Sequence, residues 1–175
     1  MSAFVTKNPL ITQMRETIKE WKTRLCLMPG YAYLAKNEIE KSYEVFVDLV
    51  LGGLDGLCVT RKFPPRVRHM HCLKKTSIVW LTEEKVEGES TVYSLQDLSI
   101  LINQFLERTE HGVVLLDGLE YLVVNHGFEH LIRFLQLIRG RFEQTGGILI
   151  VPVLEEALEL ERARLIEREM KILKL

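Results

Sequence analysis

Val113, Val114, Leu115 and Leu116 form an unbroken apolar run between Gly112 and Asp117. Side chains of a strand alternate between its two faces, so a strand apolar at consecutive positions needs cover on both. A parallel sheet with helices on each side meets that demand, and a sheet with one wet face does not. Gly56-Leu57-Cys58-Val59-Thr60 and the stretch from Gly147 to Val153 repeat the pattern, while Tyr31 to Leu34 and Ser77 to Leu81 are shorter strands of the same kind.

Helical spacing fills the intervals between these runs. Tyr43, Phe46, Val47, Leu49 and Val50 predict a helix closed by Gly52-Gly53, and Pro64-Pro65 opens a short one. Ser94 with Asp97 is a capping signal ahead of Leu98, Leu101, Ile102, Phe105 and Leu106, and Phe128 to Ile138 continues the periodicity. A last helix is expected from about Leu154, its acids Glu155, Glu156 and Glu159 near the start and Lys171 and Lys174 near the end, as a helix dipole favours. Strands alternating with helices predict a three-layer α/β/α domain with a mainly parallel sheet over residues 28–175.

Residues 1–27 stand outside that alternation. Asn8-Pro9 is a plausible helix start, and Leu10, Ile11, Met14, Ile18, Trp21 and Leu25 follow near helical spacing, which predicts an amphipathic extension. Its stripe packs on its own domain or docks a partner. Leu165, Ile166, Met170, Ile172 and Leu173 make a second candidate docking stripe in the last helix.

With 23 basic and 24 acidic residues the net charge is −1, so attraction of the whole molecule to nucleic acid or anionic membrane is excluded. Any such role must come from a local patch. Cys26, Cys58 and Cys72 are odd in number and contain no C-x-x-C pair, which suits a reducing compartment. No secretory pattern opens the chain and Ile148 to Leu154, its longest apolar run, is far too short to cross a bilayer, so a cytoplasmic protein without a membrane span is expected.

Ligands of open parallel sheets bind beyond the carboxyl ends of strands, which selects Thr60, Arg61 and Lys62, Leu81-Thr82, Asp117 and Val151-Pro152. Four apolar residues followed by an acid resemble a magnesium-holding strand end, yet Asp117 serves equally as a cap for a short helix beginning near Leu119. A phosphate loop needs glycines so that backbone N–H groups can close on phosphate oxygens. The segment in that place, Ala35 to Ser42, ends in Lys41-Ser42 but has no glycine and carries Glu38 and Glu40.

From Arg61 to Lys75 the cations Arg61, Lys62, Arg66, Arg68, Lys74 and Lys75 occur without an acid, and Glu83, Glu84, Glu87 and Glu89 then reverse the sign. The basic stretch is a candidate contact for phosphate, for a protein, or more weakly for nucleic acid, since Phe63 is the only aromatic interleaved. His69, His71 and Cys72 lack a standard zinc spacing, and His126 with His130 lack H-E-x-x-H, so no metal or cofactor is assigned.

Several blocks, in order, resemble an uncharacterised archaeal family, domain of unknown function 835. They are Pro29-Gly30-Tyr31-Ala32-Tyr33-Leu34, Ser42-Tyr43-Glu44-Val45-Phe46, and Gly56 to Arg61 with Pro64 and Arg68. Val79-Trp80-Leu81-Thr82, Gly112 to Leu122, Asn125-His126-Gly127-Phe128, Arg133-Phe134-Leu135 and Ile148 to Val153 continue the series. The resemblance spans about Pro29 to Arg168 and implies a distant, degenerate relative of RecA-like and KaiC-like ATPases, similar to regulatory modules of archaeal signalling proteins. It transfers no catalytic residue. The expected function is therefore a non-catalytic regulatory or protein-interaction module, its partner another protein or a second copy. A phosphate or nucleotide sensor using Arg61, Lys62, Arg66, Arg68 and Asp117 is the alternative.

Overall fold

The computed structural model describes residues 27–175. The expected amphipathic helix with Ile11, Met14, Ile18, Trp21 and Leu25 lies outside the described residues. The elements run β1 (Ala32–Lys36), α1 (Ile39–Leu51), β2 (Asp55–Thr60), α2 (Pro64–Met70), β3 (Ser77–Leu81), β4 (Ser90–Val92) and α3 (Leu95–Arg108). They continue with β5 (Gly112–Asp117), α4 (Leu119–His126), α5 (Phe128–Thr145), β6 (Ile148–Val153), one 3-10 turn (Glu155–Ala157), α6 (Leu160–Glu169) and β7 (Lys171–Leu173).

The strands form one sheet in the order β4-β3-β2-β5-β6-β1-β7, and every pairing is parallel. All six residues of β5 and all six of β6 are buried, as their consecutive apolar residues require. Tyr43, Phe46 and Leu49 of α1 and Val67 of α2 pack on one face, against Cys58, Leu115 and Ile150. The other face, with Val59, Leu116 and Val151, is covered by α3, α4, α5 and α6 through Leu98, Leu122, Leu135 and Ile166.

The chain crosses the sheet from β1 to β4 with α1 and α2 on one face, then returns from β4 to β7 with the other helices opposite, as right-handed crossovers dictate. At two places neighbouring strands therefore send the chain to opposite faces: between β2 and β5, and between β6 and β1. Their carboxyl ends are where such a sheet opens crevices.

Two departures from the sequence pattern concern the ends of the sheet. The three-residue strand β4 is an additional edge strand, and the expected last helix breaks into a 3-10 turn, α6 and β7. β7 pairs with the free edge of β1, a partner that helical spacing alone does not reveal. The expected docking stripe is corrected accordingly: Ile166 is 0% exposed, Met170 and Leu173 are also buried in the domain, and Leu165 is 41% exposed with Ile172 beside solvent. Ile166, Met170 and Leu173 thus belong to the core, while Leu165 and Ile172 do not. Among the described residues no helix is long and apolar enough to cross a membrane.

Candidate functional site

β2 and β5 end side by side, with Thr60 and Asp117 as register partners. Strand alternation places both on the face of Cys58 and Leu115, which α1 covers. Tyr43 reaches them from α1, fully buried. Its hydroxyl donates to Asp117 Oδ2 at 2.6 Å and lies 2.7 Å from Thr60 Oγ1. Thr60 Oγ1 is 3.4 Å from the same carboxylate oxygen and accepts from the Lys62 backbone N–H at 3.0 Å.

The Tyr43 proton is directed at the carboxylate, so the short contact between hydroxyls has Thr60 donating to Tyr43. A single chain results: Lys62 N–H to Thr60, Thr60 to Tyr43, Tyr43 to Asp117. Each bond polarises the next in a site shielded from water. Burial, then Cys58 and Asp117, pushes the Tyr43 hydroxyl far above the ordinary phenol range, which keeps it a donor. Cys58 beneath the cluster is likewise pushed up, by burial first and then by Asp117, and is inert.

The tyrosine ring is closed over from outside. His71 stacks on it at 4.7 Å with planes 11° apart, and Lys62 Nζ sits 4.5 Å from its centroid while pairing with Glu40 at 2.6 Å. Burial lowers the His71 pKa, with Glu40 opposing that shift. The Lys62 contact holds the Glu40 carboxyl below its usual range.

Asp117 does not cap α4. Gly118 is the cap residue, no side chain caps it, and the carboxylate turns to Tyr43 instead. Gly118 has φ +132°, and a Cβ there would come within 2.8 Å of Arg61 Cγ and 2.9 Å of Leu81 Cδ1. Only glycine lets the Arg61 stem pass. The Arg61 backbone N–H donates to the Asp117 carbonyl at 3.2 Å, but its side chain lies on the opposite face, Cζ 4.0 Å over the Tyr121 ring and Nη1 on the Leu81 carbonyl. Trp80 Nε1 donates to the Arg61 carbonyl, and Phe63 meets Trp80 edge-on at 5.4 Å.

The expected basic site does not converge. Arg68 Nη1 donates to the carbonyls of Leu73 and Thr76 at 2.9 and 3.2 Å, Lys62 is paired with Glu40, and Arg66 is exposed on α2. Thr60 and Asp117 come together, while Arg61 and Asp117 diverge. Tyr43 completes the cluster without having stood out as a site residue, and His71, weighed only as a metal ligand, stacks on it. The available signal was that a tyrosine at a core position requires a partner for its hydroxyl.

The second crevice, between β6 and β1, is laced shut. Asn37 takes a left-handed turn at φ +59°. Its amide accepts from Glu155 N–H and donates to Glu155 Oε2, both at 3.0 Å. Lys36 bridges Glu155 at 2.7 Å and also Glu167, and Glu120 Oε1 accepts from Leu154 N–H at 2.9 Å. Where a phosphate loop would offer N–H groups, Ser42 Oγ donates to the Glu38 carbonyl at 2.7 Å and Lys41 pairs with Glu38. Among the described residues no three acids, histidines or cysteines are placed to hold a metal ion.

The family model described as "Protein of unknown function (DUF835)" matches residues 35–170. No curated protein matches the chain. A solved structure from Pyrococcus horikoshii OT3, described as a structural study, covers 89% of this chain with 85% of its own, at a TM-score of 0.61 and 10% identity. At that identity the likeness is one of fold.

Proposed function

We propose that this chain, which belongs to the DUF835 family, is a non-catalytic regulatory or protein-interaction module on a degenerate RecA- and KaiC-like scaffold. The observation that carries this reading is the buried Tyr43 hydroxyl on Asp117. A carboxylate that is to hold magnesium needs an open side toward the ligand. Here the chain's own phenol fills that side, with Lys62 and His71 closing over it. A ligand that displaced Tyr43 would break a charge-assisted hydrogen bond of about 1.5–3 kcal/mol and expose a ring whose burial contributes a similar amount.

Three of the four cations suggested for a phosphate sensor support the same reading, because Arg61, Lys62 and Arg68 are committed separately to Tyr121, Glu40 and backbone carbonyls. The test is purified full chain with ATP or GTP and magnesium, followed by phosphate release and calorimetry. Neither turnover nor heat is expected. Steady phosphate release that stops in a folded Asp117→Asn variant overturns the proposal.

A further inference from the structure

Between α1 and the loop that follows α2 lies an apolar groove of about 590 Å³, running from His71 toward Thr76 at the start of β3. Val47, Val50 and Leu73 line it, and Leu51 and Met70 stand on it 56% and 54% exposed. Glu44 and Asp48 of α1 edge one part of the lining, and Lys74 and Lys75 of the loop another. Among the described residues the ion pairs involve none of these four charges. An apolar trough with unpaired charges at its margin suits an amphipathic helix.

We infer that this groove is a helix-binding surface whose occupant is residues 8–25 of the same chain. Leu27, the first described residue, is buried in the same core cluster as Leu73 of the groove, so the chain enters on the groove's side of the sheet. β5 and β6 separate β1 from β2, a distance of about 14 Å at ~4.8 Å per strand. Eighteen residues of helix reach about 27 Å.

The pattern of that segment complements the groove. At helical spacing Leu10, Ile11, Met14, Ile18, Trp21 and Leu25 share one stripe, and Arg15, Lys19 and Lys22 lie along one flank of it. The opposite flank carries Gln13, Thr17, Glu20 and Arg24, one charge of each sign. The basic flank is the one that answers Glu44 and Asp48, and this match sets the direction in which the helix lies. The Asp48 carboxyl, pushed up by burial and then by Glu44, is an acid without compensation until such a flank arrives. The inference does not depend on the sealed strand ends, since its test reads the groove and not nucleotide.

Cys72 lines the groove and supplies a native reporter. The full chain is treated with iodoacetamide under native conditions and alkylation of the Cys72 peptide is followed by mass spectrometry. Wild type is expected to react at least tenfold more slowly than Met14→Glu/Ile18→Glu, with the same far-ultraviolet dichroism. Arg15→Glu is expected to speed the reaction, and adding Asp48→Arg to slow it again, which decides the matter if the double variant does not fold. Equal rates in wild type and Arg15→Glu overturn the inference. A dimer by light scattering that the Arg15→Glu variant dissociates also overturns it, by placing a second copy in the groove.

Discussion

The Tyr43 hydroxyl and Asp117 Oδ2, 2.6 Å apart, tie α1 to the end of β5 inside the sheet's covered face. Tyr43→Phe removes the donor and leaves the carboxylate short of a partner, so a loss of about 1–3 kcal/mol is expected in urea unfolding. Asp117→Asn, whose amide oxygen still accepts, is expected to cost less. Equal stability of Tyr43→Phe and wild type would show the bond to be idle.

Gly118→Ala combines a backbone conformation that L residues avoid with a close approach to Arg61 and Leu81. The expected cost is about 1–3 kcal/mol. Trimming the neighbour relieves the crowding and not the backbone strain. Arg61→Ala in the Gly118→Ala background is therefore expected to recover part of the loss, read as non-additivity in a double-mutant cycle.

The two sides of α6 predict opposite sensitivities. Ile166→Ala opens a cavity in the core and is expected to cost about 2–5 kcal/mol. Leu165→Ala, beside solvent, is expected to fall within about 0.5 kcal/mol of wild type. Guanidine midpoints at matched slope separate the two outcomes, and similar losses at both positions would contradict the assignment of faces.

Stability is expected to fall in two stages as the solution is acidified. The His71 pKa is lowered in the fold, so the unfolded chain binds its proton first; the contribution is present above the ordinary value of 6.5 and is lost as pH falls through the lower folded value. Glu40 and Glu155 are held below 4.5 by Lys62 and Lys36, and their contributions are lost as pH falls further. Asp48 works in the opposite sense, since its raised pKa makes protonation easier in the fold. His71→Gln should flatten the first stage and leave the second, measured as urea midpoints between pH 7 and pH 3.

How much of this was legible beforehand varies by element. The consecutive apolar residues of β5 required cover on both faces, and the alternation of strands with helices implied the parallel sheet. β4 and β7 were not legible, because three residues at an edge carry no period of their own and exist through pairing with β3 and β1. Thr60 and Asp117 stood out as strand ends. Their union with Tyr43 did not, because its helical position marks it as core and says nothing of where the hydroxyl points. The divergence of Arg61 from Asp117 was available in principle: Arg61 follows Thr60, and successive residues along a strand face opposite ways.

A crevice stoppered by one side chain is also one substitution from being vacant. Tyr43→Ala would leave a phenol-shaped hollow with a threonine hydroxyl and a carboxylate at its base and an imidazole and an ammonium at its mouth. The same residue that fills the crevice thus defines the template for a synthetic occupant, and phenol is the molecule that hollow would admit.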